Sequence, residues 1–271
     1  MLYDLTRQIV GDSADITCLM GAGIDPHIYQ ASAGDVAKMQ SADIVIYNGL
    51  HLEGRLGEVF QSLERLGKTV ICATDGISPA SLIRDGDNAP PDPHIWFDVS
   101  LWKNAAAGLT RSLNIAKPGN SAVYLHNLEC YLSKLNELED YITERVNELE
   151  KSRRVLITAH DAFRYFGRAY GFEVLGLQGI NTSSEAGTRD FTALAQIITD
   201  RKINAVFIET SVPPKNIDAL ISAVSSRGFE VSTGGLLYSD SLGESGSACD
   251  TYIAAFRANV DTIINALSEG Y

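Results

Sequence analysis

Between residues 121 and 151 the chain carries an unbroken amphipathic pattern that limits its architecture more than any other stretch. Val123, Leu125, Leu128, Leu132, Leu135, Leu138, Ile142, Val146 and Leu149 recur mostly at three- and four-residue steps, with Glu, Asn and Lys between them. No proline or glycine interrupts the run. The pattern predicts one helix from about residue 121 to 151, on the order of 45 Å long at ~1.5 Å per residue. A helix of that length between two folded halves is a stiff connector, in contrast to a flexible linker.

The sequence on either side alternates short apolar runs with amphipathic ones. Before the long helix, strands are expected at 14–19, 43–47 and 69–72, and helices at 2–10, 33–40, 56–66 and 101–113. After it, strands are expected at 154–158, 172–175, 205–208 and 229–231, and helices at 162–170, 189–201, 214–227 and 251–267. Such alternation indicates a largely parallel sheet. The fold class is therefore α/β: two α/β lobes with mainly parallel sheets, joined by one long α-helix. The expected boundaries are 1–118 for the first lobe, 119–152 for the connecting helix and 153–271 for the second lobe.

Bulk properties narrow the partners. The formal net charge of -12 argues against nucleic acid or an anionic membrane surface and is compatible with a cationic ligand. No apolar run approaches the ~20 residues that span a bilayer. The chain opens directly on an amphipathic helix, so it is expected to be a trimmed product whose export signal is gone. Its four cysteines are scattered without a CxxC, which speaks against a cysteine-based zinc or redox site.

One phrase occurs twice. Asp25-Pro26-His27 and Asp92-Pro93-His94 each set a histidine behind a proline, which fixes its own φ and extends its predecessor. Each imidazole is thus presented from a loop with little backbone freedom. His160, in Ala159-His160-Asp161, is expected just past a strand, where ligands collect in open α/β sheets. His51 lies between two leucines and is read as a packing or supporting residue, and His126 as part of a solvated helix face. Three histidines call for a carboxylate to complete a site for Zn²⁺ or Mn²⁺. Asp240 and Glu209 both fit, with Asp240 slightly preferred as ligand. Glu209 follows its strand immediately and is better placed to accept a hydrogen bond from a ligating imidazole.

At this level of detail the chain resembles the TroA-like, cluster A-I solute-binding proteins of bacterial zinc and manganese ABC importers. The two Asp-Pro-His phrases, Thr158-Ala159-His160-Asp161-Ala162-Phe163 and Ser239-Asp240-Ser241-Leu242-Gly243 carry the likeness. It extends through Asn48-Gly49-Leu50-His51-Leu52-Glu53, Gly176-Leu177-Gln178-Gly179 and Phe207-Ile208-Glu209-Thr210-Ser211, in the same order along essentially the whole chain. The resemblance implies two α/β lobes bridged by a long helix, with metal held in the cleft between them. It implies His27 and His94 as ligands from the first lobe, and His160 and Asp240 from the second. It further implies a monomer, periplasmic or lipid-anchored outside the cytoplasmic membrane, that delivers Zn²⁺ or Mn²⁺ to an ABC permease and catalyses nothing. Two departures stand out. The family's opening strand before the first helix is missing, and the 84–92 loop is short and free of histidine where many zinc-dedicated members have a long His-rich one. A third histidine tilts the set toward zinc, and the short loop leaves a site serving both metals open.

Other readings compete. A metal-dependent hydrolase uses similar ligands with one position open to water, but the chain has no HExxH. Gly243-Glu244-Ser245-Gly246 falls short of the GxSxG elbow. Asp85-Gly86-Asp87-Asn88 lacks the ligand order of an EF-hand. Adhesion remains a further role for members exposed at a cell surface.

Overall fold

The computed structural model describes residues 1–86 and 88–268. The chain divides into two compact units: Met1–Gly21 with Pro26–Glu137, and Ala22–Asp25 with Leu138–Tyr271. The fold is α/β with short parallel sheets and one long helix, as the alternation of patterns anticipates.

In the first unit, α1 (Leu2–Val10) buries Leu5 and Ile9 and is followed by α2 (Ala33–Ser41), β1 (Ile44–Tyr47), α3 (Gly57–Arg65), β2 (Thr69–Cys72) and α4 (Val99–Ala116). Helix α2 starts at a capping box: Asp35 N donates to Ser32 Oγ at 3.2 Å, and Ser32 N donates to Asp35 Oδ2 at 3.0 Å. Strands β1 and β2 pair in parallel with Ile44 opposite Thr69. Their inner face meets Met39, Leu56, Phe60 and Leu63, all buried. The strand expected at 14–19 does not form; that segment makes no ladder among the described residues. Its alternation has nothing to bury: Asp15 and Thr17 are exposed and Ile16 is only half-buried.

The long helix, α5, runs over Ser121–Asn147, and the division between the units falls inside it. Its buried seam is Tyr124, Tyr131, Leu135, Leu138, Ile142 and Val146, whereas Val123 and Leu125 are exposed. The first turns thus present the tyrosine face inward, rotated from the aliphatic stripe expected there. Trp102 of α4 explains the preference, since its Nε1 donates to Tyr131 Oη at 3.1 Å in a buried setting. Each fully buried leucine of the seam contributes on the order of 2 kcal/mol. The helix stops four residues earlier than its pattern because Glu148 and Leu149 bond back three residues, and Arg154 Nε takes the Leu149 carbonyl at 3.1 Å.

The second unit contains β3 (Val155–His160), α6 (Arg164–Tyr170), β4 (Glu173–Gln178), α7 (Thr188–Arg201), β5 (Ala205–Glu209), α8 (Lys215–Ser225), β6 (Ser232–Leu237) and α9 (Tyr252–Ser268). Strands β3 and β4 pair in parallel, as do β5 and β6, and β3 lies beside β5. Every residue of β3 is buried, as expected of a parallel strand covered on both faces. Strand β6 falls at 232–237, after the 229–231 run expected from composition. The displaced strand contains Gly234 and Gly235, which read as turn signals in sequence. Gly234 is the extra residue of a bulge opposite Val206 and Phe207, and a Cβ there would lie 2.6 Å from Phe207 Cε1. All four cysteines are free thiols. Among the described residues, no helix is long and apolar enough to cross a membrane.

Candidate metal centre

The first unit holds a histidine pair. His94 is seated by its neighbours on both sides, from Asp92 to Asp98. Asp92 N donates to Ile83 O at 2.9 Å, which anchors the loop. Asp92 Oδ1 then accepts from His94 N at 3.0 Å and meets His94 Nδ1 at 2.7 Å. Residues Ile95–Phe97 form a 3₁₀ turn, and Asp98 caps α4 by accepting from Ser100 N at 2.9 Å and Leu101 N at 3.3 Å. The buried Trp96 ring stands edge-on to the His94 imidazole at 5.3 Å. With Nδ1 taken by a carboxylate, Nε2 is the nitrogen left to act as a donor to metal. It lies 3.2 Å from His27 Nε2. His27 is 4% exposed and His94 fully buried, so the pair is withdrawn from bulk water.

Behind this pair stands the turn after β1. Asn48 donates through Nδ2 to the Pro93 carbonyl at 3.3 Å. Glu53 accepts from Asn48 N at 2.7 Å and from Gly49 N at 3.2 Å. Burial pushes the Glu53 carboxyl above its ordinary range, and the backbone N–H groups of Asn48, Glu53 itself and Gly49 oppose that rise. His51, read from sequence as a packing or supporting residue, is exposed on this turn, because φ of +65° swings its side chain off the apolar face.

The second unit gathers its groups at the carboxyl ends of parallel strands. His160 is the last residue of β3, one step inside the strand instead of beyond it. Glu209 is the last residue of β5. Its Oε1 accepts from His160 N at 2.8 Å and its Oε2 lies 2.5 Å from His160 Nδ1. His160 Nε2 is directed toward Asp240 Oδ2 at 3.3 Å. Asp240 sits three residues past β6, in a loop held by Asn259 of α9, whose amide accepts from Tyr238 N and donates to Tyr238 O, both at 2.8 Å. Ser211 Oγ donates to Asp240 Oδ2 at 3.2 Å and contacts Ser239 Oγ at 2.8 Å. Burial by itself would lower the His160 pKa, but the Glu209 and Asp240 carboxylates outweigh it and raise the value well above the ordinary one.

The two copies of Asp-Pro-His are not equivalent. Asp92 serves its own histidine, whereas Asp25 accepts from Thr182 Oγ1 at 2.6 Å. Sequence reasoning noted both aspartates without assigning Asp92 its bond to His94; the two-residue spacing across a proline was the available signal. Asn48 and Glu53 have no role assigned by the sequence pattern. Their only signal was an acid five residues past a strand-end Asn-Gly. His126 lies exposed on α5, as expected. Of the calcium alternative, Asp87 lies outside the described residues.

Comparison with known proteins follows the same lines. A family model described as "Zinc-uptake complex component A periplasmic" (ZnuA) matches residues 1–266. The zinc-binding protein TroA of Treponema pallidum is 43% identical over 268 residues, covering 99% of this chain and 86% of its own. The solved structure of periplasmic zinc binding protein TroA from that organism aligns with a TM-score of 0.95 at 43% identity, covering 98% of this chain and 96% of the other. The manganese-binding lipoprotein MntA of Bacillus subtilis is 40% identical over 266 residues, 98% of this chain and 87% of its own. The manganese ABC transporter substrate-binding lipoprotein PsaA of Streptococcus pneumoniae is 27% identical over 274 residues, 99% of this chain and 87% of its own.

Proposed function

The chain belongs to the zinc-uptake complex component A family, and from that membership we propose that it is the extracytoplasmic solute-binding component of an ABC importer. Its cargo is a divalent transition metal, Zn²⁺ or Mn²⁺, taken up by His27, His94, His160 and Asp240 and delivered to a membrane permease. The protein acts as a monomeric carrier, periplasmic or lipid-anchored, and performs no catalysis. The hydrolase alternative finds no support, because the family consists of transporter solute-binding proteins.

The observation that carries this reading is how each pair of ligands is built. In both, a carboxylate occupies the histidine Nδ1 and leaves Nε2 facing the second ligand. A tetrahedral zinc with bonds of about 2.0–2.1 Å sets nitrogen ligands roughly 3.3–3.4 Å apart. The His27–His94 spacing is 3.2 Å and the His160–Asp240 spacing 3.3 Å, so each pair already matches one edge of such a tetrahedron. Three imidazoles and one carboxylate favour Zn²⁺ over Mn²⁺ by donor softness.

Competition titration of the metal-free protein with Zn²⁺ and Mn²⁺ at pH 7 tests the proposal. Tight one-to-one binding is expected for Zn²⁺, with Mn²⁺ weaker. Failure to bind either ion tightly overturns the carrier reading. The titration also carries a sign. Metal requires neutral His160, and the raised pKa favours the protonated imidazole in the metal-free form, so metal competes with a proton for this site. Charged His160 stabilises the metal-free protein fully below the ordinary value of about 6.5, and that contribution is lost as pH rises through the raised value. Zn²⁺ should therefore raise the melting temperature more at pH 8 than at pH 6. Calorimetry in buffers of different ionisation enthalpy should show net proton release at pH 7; proton uptake, or no exchange, contradicts it.

A further inference from the structure

Past the end of β1 the backbone passes through a conformation that L-residues avoid, and a buried carboxylate holds it there. Gly49, Leu50 and His51 carry φ of 91°, 54° and 65° in succession. Gly49 is free to do so, but the other two carry a Cβ, and strain of that kind persists only where the surroundings over-determine it. Glu53 is 7% exposed and supplies that determination, its two oxygens taking the N–H groups of Asn48 and Gly49. From the other side, Thr74 Oγ1 donates to the Asn48 carbonyl at 2.8 Å. Asn48 is therefore fixed at both of its peptide groups. Its side-chain amide then reaches the Pro93 carbonyl, which also accepts from Ile95 N at 2.9 Å and closes the turn that seats His94.

We propose that Glu53 is a positioning residue for metal capture: it locks Asn48, Asn48 locks Pro93, and the Nε2 of His94 is thereby held at its spacing from His27. A slack Asn48 would leave the Pro93 carbonyl held by Ile95 N alone, within its own turn. The inference rests on the reading of His94 as a metal ligand, and the experiment separates the two.

Zn²⁺ affinity of the full chain is measured for Glu53→Gln and Asn48→Ala, each alone and combined with His94→Ala. The competing chelator is chosen weak enough to read the His94→Ala affinity. Glu53→Gln keeps shape but turns an NH₂ group against a backbone N–H, and Asn48→Ala removes the reach to Pro93 together with the 3.2 Å bond from the same amide to the Gly49 carbonyl. Each single variant should weaken binding about tenfold, the lower end of the ~10–100-fold seen for partners that orient metal ligands. Neither should weaken it further once His94 is gone, because both act through that imidazole. Leu63→Ala, which opens the same core without touching the turn, should lower the melting temperature and leave affinity unchanged. A merely structural Glu53 would behave like Leu63. Folded Glu53→Gln and Asn48→Ala proteins with wild-type affinity overturn the proposal, as does an undiminished effect in the His94→Ala background. Should Glu53→Gln fail to fold, Asn48→Ala decides by the same criteria. Wild-type affinity in His94→Ala itself removes the ligand assignment and this inference with it. A normal loss in His94→Ala with no effect from the other two removes this inference alone.

Discussion

The His160→Ala variant is expected to bind Zn²⁺ at least about a hundredfold more weakly than the unaltered chain. Four-ligand zinc sites provide roughly 10–16 kcal/mol of apparent binding free energy near neutral pH, so one ligand accounts for about 3 kcal/mol, or two powers of ten. His160 removes more than a donor atom. Its ring lies between Glu209 Oε2 at 2.5 Å and Asp240 Oδ2 at 3.3 Å, and it is fully buried. Without the imidazole, two buried carboxylates lose the group that separated and compensated them. The proton release expected on metal binding should shrink accordingly. His126→Ala, on the exposed face of α5, is the matching control and should bind as the unaltered chain does. Competition titration with Zn²⁺ reads both. Unchanged affinity in His160→Ala would move the metal elsewhere in the protein.

The Gly176→Ala variant is expected to lose stability and metal affinity together. Gly176 pairs with Thr158 across the β3–β4 ladder. A Cβ at this position would lie 2.6 Å from Asp161 N and 2.7 Å from Asp161 Cα. Backbone atoms cannot rotate away as a flexible side chain does, so the end of β3 must shift. Overpacking of this kind costs about 1–3 kcal/mol. The shift acts one residue past His160, whose N–H and Nδ1 are both registered on Glu209. A displacement there loosens the imidazole that the site depends on. Gly179→Ala provides the contrast, since nothing lies within 4 Å of a Cβ at that position. Denaturant unfolding of the metal-free protein, with Zn²⁺ titration alongside, checks the pair. A Gly176→Ala protein as stable as Gly179→Ala would contradict the close approach of the two strand ends.

Much of this was legible in the residues, for identifiable reasons. The long helix and the α/β rhythm were readable because apolar periodicity reports burial directly, and β1 and β2 fell within a residue of expectation. The errors were also physical. Residues 14–19 alternate like a strand, yet a strand exists only with a partner to bond. The β6 position was missed because Gly234 and Gly235 look like turn formers, while their actual task is to admit Phe207 and Thr262. The α5 seam begins on Tyr124, not on Val123 and Leu125, because Trp102 offers Tyr131 a buried hydrogen bond that no helix-periodicity argument contains. His51, flanked by leucines, turned outward through a positive φ that leucine neighbours do not reveal.

The candidate site divides in the same way. Sequence alone determined the kinds of donor and their presentation: histidines behind prolines, a histidine and two acids near strand ends, and an excess of negative charge. These follow from local covalent geometry and from the alternation of elements, which a linear pattern records. Only the tertiary structure decided which carboxylate serves which imidazole: Asp92 holds His94, Glu209 holds His160, and Asp25 turns to Thr182. It also decided that Glu53 secures Asn48 and, through it, Pro93. Such pairings join groups up to 157 residues apart and depend on strand order and on ångström-scale spacing, quantities that no stretch of sequence expresses by itself.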